Sequence, residues 1–458
     1  MTWRAPRIRR LTVGLLAGFL GWGVALSVAT PASAAGVPIT GASDSYPAPA
    51  VREWAGQVGA LGGAVNVATA SSEVALDEYA QGLSNFGVTD FPYGHSFLSY
   101  YVPSGSQSPY QYVPLAAGAD CLAFNLTSAT GSPVTALRLN AAALAGIFTG
   151  TIATWNDPTL AALNPGVALP DSGIVPVVRS DPAMESYVLS VYLHDNARTA
   201  WDAYTAAIDA PADAQVAYPA GTAGAYQAKF VSENGDDPVA AYVGATVGSI
   251  GYLPPAYAHF THLLCASVQN SSGFFTEPSE AHVSDALRST VLRSDTSADP
   301  HSIVDSRRSG AYPLSWYATA VTQTSEAPAP VGAALGQFLK FAVCQGQEEV
   351  GLLGYAALPP SLVKDAFQAI RRINGAAEPG SLTGANCPNP YLTGALKQPD
   401  STGHPHNGAP PQRGTPSTGH PLAGAPACRG TVLCRPAPCI VSDQGLDSPS
   451  GGGRSVVP

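Results

Sequence analysis

Short apolar runs alternate along this chain with helix-spaced stretches, and that alternation restricts its fold more than any other feature. Ala64 to Ala68 reads as a strand. It leads into the cap-like cluster Thr69-Ala70-Ser71-Ser72 and a helix from Glu73 that stops at Gly82. Phe86 to Thr89 is another strand and ends on Asp90. Upstream, Ser45 suits an N-cap, Pro47 falls in the first turn, and Val51, Trp54 and Val58 form an apolar stripe. The alternation continues with a strand at Cys121–Leu126 and a helix at Asn140–Phe148. After it come the turn Thr154–Pro158, a Gly-punctuated strand at 246–252, and helices over Pro330–Val343 and Ser361–Ile373, with Ser361 as N-cap. Strand, polar turn and helix in rotation is the βαβ pattern, which places sites at the carboxyl ends of parallel strands. The expected class is α/β.

One stretch in this pattern carries a fixed charge. In Val177–Tyr187, Arg179 precedes Asp181, a candidate N-cap, and Pro182 stands at the first helical position. Apolar residues at Met184, Val188, Val191 and Tyr192 keep helical spacing behind it. A helix start presents unpaired N–H groups and the positive end of a dipole, and Arg179 would add a planar fork of donors beside it.

The ends of the chain set its context. Arg4, Arg7, Arg9 and Arg10 precede an apolar run from Leu11 to Ala29 and the small-residue site Ala32-Ser33-Ala34, so residues 1–34 read as a secretory signal peptide. From 397 to 458 Pro, Gly, Ser, Thr and His dominate and STGHP occurs twice, a composition expected to stay disordered. With 12% charged residues and a formal charge of −10, the chain lacks the basic footprint of a nucleic-acid binder. Seven cysteines in an exported chain suggest disulfides. Their positions leave connectivity open; Cys121–Cys265 and Cys344–Cys387 are the favoured pairs.

Catalytic signatures are missing. The sequence has no phosphate-cradling loop with Lys-Ser/Thr, no HExxH and no GxSxG, and Ser361–Lys364 matches SxxK without its partner motifs. An enzyme is therefore not expected, and neither a metal nor a cofactor is implied. What recurs is a set of oxygen-bearing caps (Ser45, Ser72, Asp181) with Arg179 and the strand-end Asp90. Together they could surround a tetrahedral oxyanion. A carboxylate such as Asp90 accepts a hydrogen bond from protonated phosphate but repels sulfate, which carries no proton near neutrality.

In order along the chain, SYPAP at Ser45, NFGVTD at Asn85, IFTGTIATWNDPTLAALNPGVALP at Ile147, GSIGY at Gly248 and GYAALPPSLV at Gly354 resemble the periplasmic-type phosphate-binding proteins of phosphate ABC transporters. The likeness spans roughly Ile39 to Pro390. It implies a two-lobed periplasmic-binding-protein (Venus-flytrap) fold with phosphate enclosed between the lobes. Lobe one would comprise 35–118 and 270–396, and lobe two 119–269. Ser45, Tyr46 and Ser72 would contact phosphate, Asp90 would accept its proton, Arg179 would pair with its oxygens, and Asp181 would hold Arg179. The partners implied are inorganic phosphate and a membrane permease, for a monomer that is secreted and stays at the cell surface.

The chain departs from this family where Gly-Ser-Gly-Thr is replaced by Pro182-Ala183-Met184-Glu185. Ala183 lacks a hydroxyl, Met184 adds bulk, and Glu185 brings a negative charge. A carboxylate about 5 Å from a dianion costs several kcal/mol in a partly dry site. Either Glu185 faces solvent and complements the helix dipole, or the anion preference has changed. An extracellular sensor, adhesin or scaffold of the same fold is the alternative function.

Overall fold

The computed structural model describes residues 36–92, 109–212 and 215–397, apart from 222, 225 and 227–229. The expected signal peptide and, from 398, the expected tail with Cys428, Cys434 and Cys439 lie outside these residues.

Strands β1 (Ile39–Asp44), β2 (Val65–Ala70) and β3 (Phe86–Thr89) are parallel, with α1 (Ala48–Ala60) and α2 (Ser72–Ala80) as their connections. β4 (Tyr110–Ala119) runs through Asp120 directly into β5 (Cys121–Asn125) and enters a second sheet there. Next come β6 (Arg138–Leu139), α3 (Ala141–Thr149), α4 (Pro158–Leu163), β7 (Val175–Arg179), α5 (Met184–Asn196) and α6 (Arg198–Ala207). β8 (Val231–Glu233), α7 (Asp236–Ala245), β9 (Ser249–Leu253), α8 (Pro255–Phe260) and β10 (Leu264–Cys265) follow. The chain returns through β11 (Ser267–Gln269), β12 (Phe275–Thr276), α9 (Glu280–Leu287), β13 (Val291–Leu292), β14 (Ala298–Asp299) and α10 (Pro300–Val304). It closes with β15 (Ser315–Gln323), α11 (Ala329–Val343), α12 (Pro360–Arg371) and α13 (Pro390–Thr393).

Ten of these strands form two five-stranded sheets, ordered β2-β1-β3-β15-β4 and β10-β5-β9-β7-β8, beside the small ribbon β12-β11-β6 and the pair β13-β14. Each sheet has three mutually parallel strands: β1, β2 and β3 in the first, β7, β8 and β9 in the second. The remaining strands are antiparallel. The fold is mixed α/β, and its helix boundaries follow local chemistry. Asn140 caps α3 by accepting from the Ala143 N–H at 2.9 Å, and Gly150 ends it in the left-handed region at φ 80°. Asp157 caps α4 through the Thr159 N–H at 2.7 Å. Ser361 is not a cap: α12 starts one residue earlier, at Pro360, whose fixed φ suits a first helical position. Trp54 of α1 is buried in the core and donates to the Gly346 carbonyl at 2.8 Å.

Both favoured disulfides are formed. Cys121–Cys265 fastens edge strand β10 to β5 inside the second sheet, one residue past the crossing at Asp120. It therefore spans no hinge between sheets, because both half-cystines belong to neighbouring strands. Cys344–Cys387 joins the end of α11 to the segment before α13.

Helix α10, which precedes β15, packs on α5, which follows β7. At this contact His301 Nδ1 lies 2.6 Å from Asp195 Oδ2. The Asp195 hydrogen bond raises the His301 pKa, against partial burial. A raised histidine pKa stabilises the fold fully below about pH 6.5, and the gain is lost as pH rises through the folded-state value. Asp195→Asn should therefore make the decline in melting temperature between about pH 6 and 8 shallower. Identical slopes for the two proteins would show that the pair contributes nothing.

Candidate functional site

A cavity of about 110 Å³ lies where the carboxyl ends of β1, β2 and β3 face the end of β7 and the starts of α5 and α7. It has room for several waters, enough for a small oxyanion. Among the residues expected at a site, Ser45, Asp90, Arg179, Asp181, Ala183, Met184 and Glu185 line it.

Arg179 ends β7 and is 5% exposed. Its Nε donates to Asp181 Oδ1 at 2.8 Å and its Nη2 to Asp181 Oδ2 at 2.5 Å, a bidentate pair. Nη1 donates to Asp236 Oδ1, and Glu185 Oε2 stands 3.8 Å from the same nitrogen. The backbone is held as well: the Arg179 N–H donates to the Tyr252 hydroxyl at 2.9 Å. A guanidinium has five N–H donors. Asp181 and Asp236 occupy three, which leaves two for an anion.

Burial is the largest influence on Asp181 and opposes its charge, but the Arg179 hydrogen bonds, the Arg179 charge and backbone N–H donors together hold the carboxyl below its usual range. Asp181 also accepts the Gly235 N–H at 3.0 Å. It is not the helix cap expected from its place before Pro182. α5 starts at Met184 with Ala183 in the cap position, because Asp181 is committed to Arg179 and Gly235.

The other two expected caps also move. Ser71, not Ser72, caps α2 by accepting from the Val74 N–H at 3.4 Å. Ser72 is buried; it donates to Asp44 Oδ2 at 3.0 Å and accepts from the Asp90 N–H at 3.2 Å, so it ties the ends of β1 and β3 together. At α1 the cap position is Pro47, and exposed Ser45 makes no cap bond. Tyr46 does not line the cavity. Its ring packs against Trp316 and Tyr355, its hydroxyl abuts Gly118 where a Cβ would sit 1.4 Å away, and its N–H donates to Asp44 Oδ1 at 2.9 Å.

Glu185 settles the choice left open by its sequence. It is 3% exposed and turned into the cavity, so the solvent-facing reading is wrong. Two further acids had not been expected here: Asp44 at the end of β1 and Asp236 at the start of α7. Each has the same sequence signal as Asp90 or Asp181, an acid just after an apolar strand or beside a Pro-bearing helix start.

One guanidinium thus faces five carboxyl groups. They cannot all ionise in a nearly dry space. Burial, then Asp44, Glu185 and Asp236, push Asp90 well above the carboxylate range against the pull of Arg179, and its Oδ1 has no partner among the described residues. Burial, opposed by Arg179, raises Asp236 to about 6. Among the described residues no group of His, Cys, Asp or Glu could hold a metal ion.

Known proteins share this architecture. Phosphate-binding protein PstS of Xylella fastidiosa strain 9a5c is 28% identical over 332 residues, covering 72% of this chain and 83% of the relative. PstS 3 of Mycobacterium tuberculosis H37Rv is 26% identical over 324 residues, covering 68% and 80%. Among solved structures, a phosphate-binding protein from Stenotrophomonas maltophilia superposes with a TM-score of 0.53 at 20% identity, covering 77% of this chain and 98% of that one. A high-affinity periplasmic phosphate-binding protein solved with phosphate gives 0.53 at 17%, covering 72% and 93%. The family model for the PBP superfamily domain matches residues 29–345, and the chain belongs to that superfamily of solute-binding proteins, which are not enzymes.

Proposed function

We propose that this protein captures inorganic phosphate between its two sheets and delivers it to the permease of an ABC importer. The observation that carries this reading is the pairing, in one small cavity, of Arg179 with two donors to spare and Asp90 with an unpartnered buried oxygen. Phosphate brings negative oxygens to Arg179 and a proton that an oxygen of the Asp90 carboxyl can accept. Lobe one would comprise 35–118 and 270–396, lobe two 119–269, and the chain would work outside the membrane after losing its signal peptide. Asp181 positions Arg179, and Ser72 positions Asp90. Ser45, exposed and lining the cavity, offers a hydroxyl for a further contact. Closure would exchange the water shell of phosphate for these fixed donors, so ligand shifts the population toward the closed form.

Calorimetric titration with phosphate and then sulfate tests the reading. Sub-micromolar phosphate binding without a sulfate response is expected. Asp90→Ala should weaken phosphate binding by roughly 1.5–3 kcal/mol, about ten- to a hundredfold, since it removes a hydrogen bond to a charged group. Silence toward every oxyanion would instead support an extracellular sensor, adhesin or scaffold.

A further inference from the structure

The acids in this cavity outnumber what one cation can balance, and Glu185 is the one in ion-pair range of Arg179 that forms no hydrogen bond with it. Its Oε2 lies 3.8 Å from Nη1, beyond hydrogen-bond range, in the first turn of α5. The charged or titratable groups facing it are Arg179 from β7, Asp236 from α7, Asp44 from β1 and Asp90 after β3, with Asp181 in its own loop. Asp120 at the crossing, Tyr46 after β1 and Tyr257 on α8 also interact with it. Only Arg179 among them is a cation. Independently of this acid count, the unpartnered Oδ1 of Asp90, itself 7% exposed, lines the same cavity.

We propose that Glu185 engages phosphate as a neutral hydrogen-bond donor, so that the cleft takes the anion only while this carboxyl carries its proton. The inference rests on the phosphate reading and says in which protonation state the cleft takes that ligand. The Glu185 carboxyl keeps its proton and donates it to a phosphate oxygen. Where Glu185 is ionised in the empty cleft, solvent supplies the proton on binding, and no covalent bond changes. Burial, then Asp236, raise Glu185 to about 8 against Arg179, so the group is protonated at neutrality and ionises just above it. A threonine here would donate at any pH; Glu185 ties donation to acidity.

Phosphate titrations from about pH 6 to 9, in buffers of different ionisation enthalpy, count the protons taken up. Above about pH 8, wild-type affinity should fall about tenfold more per pH unit than that of Glu185→Gln, and wild type should take up one more proton. The second ionisation of phosphate is common to both proteins and cancels in the comparison. Glu185→Thr should match the glutamine variant and serves if the latter folds poorly. Equal slopes and equal proton counts would overturn the proposal while leaving phosphate capture intact. No phosphate binding by either protein at pH 6 would overturn both.

Discussion

Arg179→Met should unfold at markedly lower denaturant than wild type at pH 8, by roughly 3–5 kcal/mol, the usual cost of removing one partner from a buried ion pair. The substitution keeps the apolar stem but strands Asp181, Asp236 and Glu185. Those carboxyls would then protonate above their unfolded-state values, so the folded state would bind more protons than the unfolded chain. Stability should therefore rise as pH falls from about 8 to 5, and the deficit should shrink. Phosphate affinity should drop by roughly 2–5 kcal/mol, because the one cation that the described residues contribute to the cavity wall has gone. Equilibrium urea unfolding at several pH values, with calorimetry at each, separates the two effects. A deficit that does not change with pH would mean the three acids are not held by Arg179.

The second large effect is expected at the Cys121–Cys265 bridge, which closes a separation of 144 residues. Loop entropy assigns about 5 kcal/mol to a closure of that length and about 4 kcal/mol to the 43-residue separation of Cys344–Cys387. Replacing Cys121 and Cys265 together by alanine should cost roughly 3–5 kcal/mol and steepen the denaturant dependence, since the unfolded chain becomes less compact. The bridge sits inside one sheet, so phosphate affinity of the folded fraction should change far less than stability. A double variant that loses under about 1 kcal/mol would contradict the constraint that this length implies.

The route of the chain was legible because its signals are local. The alternation around Val65–Thr89, the Asn140 and Asp157 caps and the helix-ending Gly150 each involve residues within a few positions of one another. The contact between Arg179 and Asp181 belongs to the same class, at a separation of two. Two cap assignments failed because the side chain had a stronger distant partner. Asp181 is held by Gly235, and Ser72 by Asp44 and Asp90, so neither remains to cap its helix.

The sequence by itself determined an α/β chain of strand–helix units, its two disulfide pairs as favoured choices, and the neighbourhood of Arg179. Which way Glu185 faces, and that Asp44 and Asp236 meet it, was decided only when β1, β7 and α7 came together. The reason is physical: the protonation of a carboxyl depends on the water and charges around it, and both are set by residues far away along the chain.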